Sequence, residues 1–173
     1  MQSSSTEIPD VMVLKTEKKF DERGYFERFF CTETIPLSIL HVNFSYSEKR
    51  GTLRGLHYQL PPFEEIKVVR CLRGSLFDVV VDLRPTSPTF GKYFSTILTA
   101  EGGETVVVPK GCAHGIFTLT DSCELLYLVS EKYAKEQERT VRYDDPTLAI
   151  AWPGIPTIVS EKDALAPFWI GNR

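Results

Sequence analysis

Short β-forming runs, each closed off by turn residues, recur along almost the whole chain at roughly the 8–12-residue spacing of all-β domains, and this constrains the fold more than any other feature. In His41-Val42-Asn43-Phe44-Ser45-Tyr46-Ser47 the apolar residues Val42, Phe44 and Tyr46 alternate with Asn43, Ser45 and Ser47. That period of two predicts a strand with its apolar face on a core and its polar face toward something wet. Lys67 to Leu72 and Ser75 to Leu83 are β-branched runs meeting at Arg73-Gly74. Tyr93 to Thr99 and Glu104 to Val108 flank Gly102-Gly103. Gly115 to Thr120 and Cys123 to Ser130 flank Asp121-Ser122. Each junction carries a hairpin signal. Helical periodicity is weak, with Ile35 to Leu40 and Glu131 to Gln137 as the best short helices. From Asp144 onward the chain is rich in proline and turns. Many hairpins with little helix predict an antiparallel sandwich or jelly-roll barrel, a fold whose mouth or interior holds ligands.

The chain has 173 residues, a length that one domain accommodates. We expect a single domain over 1–173, with 1–7 disordered. The net charge of −3 gives no general pull toward nucleic acid or anionic membrane, so an anionic ligand has to be held by local arginines and lysines. No apolar run reaches the length of a membrane span. Met1 to Glu7 lacks a basic segment followed by an apolar one, so it does not read as a signal peptide. The four cysteines, Cys31, Cys71, Cys112 and Cys123, have no metal-ligand spacing. They read as reduced, mostly buried thiols of a cytoplasmic protein.

Only three histidines are present: His41, His57 and His114. His57 lies in Arg54-Gly55-Leu56-His57-Tyr58-Gln59, between β-forming runs and three residues after an arginine, which points to a proton-transfer group beside an anion-binding one. The acids of Ser160-Glu161-Lys162-Asp163 can orient its imidazole, fixing the tautomer and raising its basicity. Lys67 and Arg70 fall on opposite faces of their strand, so one of them can point inward, and an inward Lys67 would stabilise a developing enolate. Tyr127 and Tyr133 can supply a proton-donating hydroxyl. Gln59 stands where metal-binding barrels often carry the second histidine of His-x-His. A His41/His57/His114 metal site is the remaining metal alternative.

Taken together these residues resemble the nucleotide-sugar 3,5-epimerases, the dTDP-4-dehydrorhamnose 3,5-epimerase family. The resemblance is carried by Asp21-x-Arg23-Gly24-x-Phe26, Asn43-x-Ser45, Leu53 to Gln59, Val79 to Arg84 with Ser87-Pro88-Thr89-Phe90-Gly91, Pro109-x-Gly111-x-Ala113-His114-Gly115, Tyr127, Tyr133, Asp145-Pro146 with Trp152-Pro153, and Ser160-x-Lys162-Asp163. The segments run in family order from about residue 10 to residue 167. The resemblance implies a cupin-like jelly-roll barrel with short helices and a C-terminal extension, a homodimer, and no metal or organic cofactor. It implies a nucleoside-diphosphate 4-keto-6-deoxyhexose as substrate, epimerised at C3, C5 or both in deoxysugar biosynthesis. By position, His57 would be the base with Asp163 as its partner, Tyr127 the acid, and Lys67 the stabiliser of the enolate oxygen. Arg23 and Arg54 would hold the diphosphate, and Phe26, Asn43, His114, Tyr133 and Glu138 would contact substrate.

Three positions depart from the family's pattern. Arg28 stands where a glutamate is usual, with Glu27 one residue early. His41 stands where glutamine is usual. Glu64-Glu65 replaces Ala-Gln before Lys67. The first two fall where nucleotide and diphosphate are recognised, so a single-carbon epimerase acting on a CDP- or GDP-linked sugar is an alternative. A metal-dependent cupin using the three histidines and a non-catalytic sugar-binding barrel are alternatives of other classes.

Overall fold

The computed structural model describes residues 1–171. Fourteen strands follow one another: β1 (Gln2–Ser5), β2 (Met12–Lys15), β3 (Lys19–Asp21), β4 (Gly24–Phe26), β5 (His41–Ser47), β6 (Thr52–Gln59), β7 (Lys67–Arg73), β8 (Ser75–Asp82), β9 (Tyr93–Thr99), β10 (Glu104–Val108), β11 (Cys112–Thr118), β12 (Cys123–Val129), β13 (Glu138–Thr140) and β14 (Ile158–Val159). Among the described residues one short helix, α1 (Glu161–Ala164), follows the strands. Two sheets form a jelly-roll sandwich. The first runs β1-β2-β10-β7-β12-β5; the second runs β13-β6-β11-β8-β9, with β14 parallel to β6. β3 and β4 form a separate two-stranded ribbon.

The three predicted hairpins are not hairpins. β7 and β8, β9 and β10, and β11 and β12 each lie in different sheets. The turn residues are real, but each turn carries the chain over a corner from one sheet to the other. At Gly74 the backbone has φ +78, and an added Cβ would sit 2.5 Å from Thr120 Oγ1, so the corner needs glycine both for its conformation and for its space. Strands adjacent in sequence therefore face each other across the interior, and the hydrogen-bonded neighbours, such as β7 with β12, are distant in sequence.

Neither predicted helix forms. In 35–40 the apolar residues Ile35, Leu37 and Ile39 alternate with Pro36 and Ser38, and the segment lies as an irregular cover on Val68, Val107 and Leu128. Segment 131–137 is too short to sustain a helix by itself. It is held instead by the Gln59 amide, which accepts from Ala134 N and donates to the Lys132 carbonyl. The first residues, expected to be disordered, form β1 on β2.

The alternation in β5 is inverted relative to expectation. Val42, Phe44 and Tyr46 are 61%, 59% and 47% exposed, while Asn43 and Ser45 face the interior. β5 is the outer strand of its sheet, and no layer among the described residues covers its apolar face. The interior between the sheets is filled at one end by Val69, Cys71, Leu76, Val80, Leu98, Val106 and Leu125, leaving the other end open.

Candidate active site

The open end is a cavity of about 860 Å³, and its walls come from both sheets. Cross-strand register sets one wall. Lys67, Val129 and His41 form one inward row across β7, β12 and β5, and Val69, Tyr127 and Asn43 form the next. The opposite wall is β6 and β11, where His57 and His114 are direct cross-strand partners.

An irregularity in β6 shapes that wall. Between the pairs His114/His57 and Ile116/Arg54 the register shifts, so β6 carries one more residue than β11 across the same span. Such a bulge re-aims side chains. Arg54 and His57, three apart and out of phase in a regular strand, therefore both line the cavity. Gly55 makes the shift possible: its φ is +136, and a Cβ there would lie 2.6 Å from Gly115 Cα.

His57 Nε2 lies 2.7 Å from Asp163 Oδ1. Asp163 is buried on α1, with Ser160 capping the helix by accepting from Asp163 N, and its second oxygen accepts from Gly55 N at 3.1 Å. Burial alone would raise the Asp163 carboxyl. The His57 hydrogen bond and charge, helped by Gly55 N–H and Ser160, outweigh it and hold the carboxyl below its ordinary range. An ionised Asp163 accepts the Nε2 proton, which leaves the Nδ1 lone pair as the basic site.

His114 is built the same way. It is buried, and its Nε2 lies 2.8 Å from Asp78 Oδ2. Asp78 is fully buried, and its Oδ1 has no hydrogen-bond partner among the described residues. The Tyr127 ring stands edge-on to His114 at 6.2 Å between centroids. Burial, and next the Asp78 charge, push the Tyr127 hydroxyl well above its ordinary value, against Arg54 and Ser45. It is therefore a protonated donor at neutral pH.

Lys67 Nζ donates to the His57 carbonyl at 3.3 Å and lies 3.3 Å from Glu65 Oε1. Arg54 is fixed by Nε to Ser47 Oγ at 3.1 Å and by a terminal N–H to the Tyr46 carbonyl at 2.9 Å, with guanidinium N–H groups to spare for an anion. Tyr133 donates to Glu138 Oε2 at 2.8 Å, and Lys162 donates to the same oxygen at 2.5 Å. Burial would raise Glu138, but these two donors hold it lower.

Thus His57, Asp163, Tyr127, Lys67, Asn43, Arg54, His114, Tyr133 and Glu138 all line one cavity. Arg23 and Phe26 do not. They sit on the β3–β4 ribbon, where Arg23 pairs with Asp21 and Phe26 is 70% exposed. Glu27 turns away from the cavity and pairs with Arg70, on the outer face of the first sheet, and with Thr16. Lys67 is thus the inward residue of the Lys67/Arg70 choice. The sequence reading missed Asp78, whose signal was an acid inside the apolar run Leu76-Phe77-Asp78-Val79-Val80, and it missed Glu65 as a cavity residue. Among the described residues no three His, Cys, Asp or Glu side chains group as metal ligands. His57 and His114 each spend Nε2 on a carboxylate.

Fold and site together define a jelly-roll barrel whose cavity gathers two carboxylate-paired histidines, a protonated tyrosine, a lysine and an arginine. The family model of dTDP-4-dehydrorhamnose 3,5-epimerase matches residues 5–170. A dTDP-4-dehydrorhamnose 3,5-epimerase of Sinorhizobium fredii is 42% identical over 96% of this chain and 89% of its own. The crystal structure of the Bacillus anthracis enzyme of that name, with TDP and PPi bound, superposes with a TM-score of 0.94 at 35% identity, covering 97% of this chain and 99% of its own. A 3'-monoepimerase of Streptomyces bikiniensis in complex with dTDP-quinovose gives 0.88 at 35% identity, over 94% and 85% of the two chains. This chain belongs to the dTDP-4-dehydrorhamnose 3,5-epimerase family, and its activity is carbohydrate epimerisation.

Proposed function

We propose that the protein epimerises a dTDP-linked 4-keto-6-deoxyhexose in the cytoplasm, with His57 as base and Tyr127 as acid. The observation that carries this reading is their placement on opposite sheets facing one cavity. The 4-keto group acidifies the hydrogens on C3 and C5. His57 Nδ1 takes one of them, the electron pair moves onto the C4 oxygen as an enolate, and the Lys67 ammonium stabilises that charge. The Tyr127 hydroxyl returns a proton to the same carbon from the opposite face, inverting it, and solvent resets both groups. Arg54 binds the diphosphate. His114, oriented by Asp78, Asn43 and the Tyr133–Glu138 pair contact sugar and nucleotide. The nucleotide and diphosphate binding of the relatives supports dTDP despite Arg28 and His41.

The working form we propose is a homodimer. The uncovered face of Val42, Phe44 and Tyr46 and the exposed ribbon residues Phe20 and Phe26 suit a second copy, since apolar patches of this kind mark interfaces. In a dimer the ribbon of one copy brings Arg23 and Phe26 to the other's cavity, which reconciles their expected role with their distance from the cavity of their own chain.

The test is solvent deuterium incorporation into dTDP-4-keto-6-deoxyglucose, read by NMR. Label at C3 and C5 supports the double epimerase, and label at one carbon identifies a mono-epimerase. Absence of label with dTDP-, CDP- and GDP-linked substrates alike would refute the reading.

A further inference from the structure

Lys67 is unusually well tied for a lysine on a cavity wall. Its side chain and that of Glu65 are each only 14% exposed, and both line the cavity. An ammonium has three N–H donors. One goes to the His57 carbonyl at 3.3 Å, on the strand that carries the base. A second faces Glu65 Oε1, also at 3.3 Å. With two donors directed to fixed acceptors, tetrahedral geometry at nitrogen leaves the third with one direction.

Glu65 is itself held from both sides in sequence. Its neighbour Ile66 donates its N–H to Ser130 Oγ at 2.8 Å, and the Ile66 carbonyl accepts from Ser130 N at 3.1 Å. Earlier in the loop, Gln59 Nε2 donates to the Phe63 carbonyl at 2.9 Å. The carboxylate is thus presented by a backbone that does not have to reorganise. Placing donors before charge develops is what makes electrostatic catalysis effective. A free lysine side chain, with four rotatable carbons, would instead spread its ammonium over many positions.

We propose that Glu65 is a positioning residue for Lys67. It takes one ammonium N–H and so aims another at the place where the enolate oxygen forms. The inference rests on the epimerase reading above. It requires an acceptor oxygen at position 65 and does not require a charge there. A glutamine there, with its amide oxygen as acceptor, therefore serves as well.

The experiment compares Glu65→Ala and Glu65→Gln with the unchanged protein. It measures kcat and KM for deuterium wash-in on dTDP-4-keto-6-deoxyglucose, dTDP affinity by calorimetry, and thermal midpoint. Glu65→Ala is expected to lower kcat by about 10²-fold, the size of a misplaced catalytic group, with KM and dTDP affinity within about twofold. Glu65→Gln is expected to stay within about threefold of the unchanged protein. In a Lys67→Met background, Glu65→Ala is expected to change the residual rate little, because the two substitutions remove one interaction. Equal kcat in Glu65→Ala and the unchanged protein would overturn the assignment. So would a Glu65→Gln variant as slow as Glu65→Ala, or effects of Glu65→Ala and Lys67→Met that simply multiply. If the unchanged protein exchanges no hydrogen at all, the epimerase reading itself fails and this inference with it. Exchange that is present but indifferent to position 65 removes only the role of Glu65.

Discussion

Replacing Asp163 by asparagine changes few atoms but should disable the base. In the native site Asp163 has two tasks: Oδ1 meets His57 Nε2 at 2.7 Å and Oδ2 accepts from Gly55 N at 3.1 Å. An asparagine has one oxygen and one NH₂. Gly55 N–H is buried against α1 and needs an acceptor, and leaving it unpaired costs about 1–3 kcal/mol. The amide oxygen therefore goes to Gly55, and the NH₂ faces His57. A donor facing Nε2 makes Nε2 the acceptor and moves the imidazole proton to Nδ1, so the lone pair that should take the substrate proton is gone. General-base catalysis contributes roughly 10²–10⁴ in rate. At 1.36 kcal/mol per tenfold this corresponds to about 3–5 kcal/mol of barrier. Because the fold contact is kept, the thermal midpoint should fall by no more than a few degrees, and dTDP binding should be unchanged. The assay is the rate of deuterium wash-in, with dTDP affinity by calorimetry as control. Exchange within about tenfold of the unchanged protein would refute the tautomer argument. An equal loss of dTDP binding would refute the separation of base from nucleotide site.

Further predictions address the base, the outer ion pair, acid stability and the thiols. His57→Ala should abolish exchange at both carbons and leave dTDP binding nearly unchanged, as measured by NMR and calorimetry. Glu27→Ala strands Arg70, which is 4% exposed, and should cost about 3–5 kcal/mol; at about 2–4 °C per kcal/mol for a domain of this size, the midpoint falls by roughly 6–20 °C in a melt. Burial raises Asp82, but its bonds from Arg84, Ser87 and Thr89 hold it far below the carboxylate range, and Asp163, Glu27 and Glu138 are held lower too. For such depressed groups the folded state binds fewer protons than the unfolded one. Their stabilisation is present above about pH 4 and is lost as pH falls below it toward their folded values, so melting midpoints should drop steeply as the pH is taken below about 4. Burial pushes the Cys71 and Cys112 thiols up to about 12, and Cys123 is buried while Cys31 is partly exposed. Iodoacetamide should therefore modify Cys31 alone in the native protein and all four cysteines after unfolding.

Much of the fold was legible in the local pattern, and its failures share a cause. The bounds of β5, the turns at Gly74, Gly102-Gly103 and Asp121-Ser122, and the β-branched runs around them follow from backbone preference, which is local. Whether a turn keeps two strands in one sheet or sends them into two depends on what the strands pack against, which is not local. The same limit explains β5: alternation shows that Val42, Phe44 and Tyr46 share a face, but only the position of β5 at the sheet edge shows that this face is uncovered. In the site, histidines and strand arginines stood out because their chemistry is rare in a β-run. Asp78 went unnoticed within a strand taken as core, and its role follows from His114 on the neighbouring strand of the same sheet, which is distant in sequence. Arg23 and Phe26 were readable as residues, but their place on a ribbon away from the cavity of their own chain was not.

In the proposed mechanism acid and base are separate groups on opposite walls, and Tyr127→Phe in deuterated solvent puts that separation to the test. Tyr127 lies on the first sheet and His57 on the second, so removing the hydroxyl should leave proton abstraction working. We predict that the variant still washes deuterium into dTDP-4-keto-6-deoxyglucose while epimerised product falls by at least 10²-fold. Loss of exchange together with product would contradict the claim, placing Tyr127 in binding or structure and leaving the opposite face of the sugar without its acid.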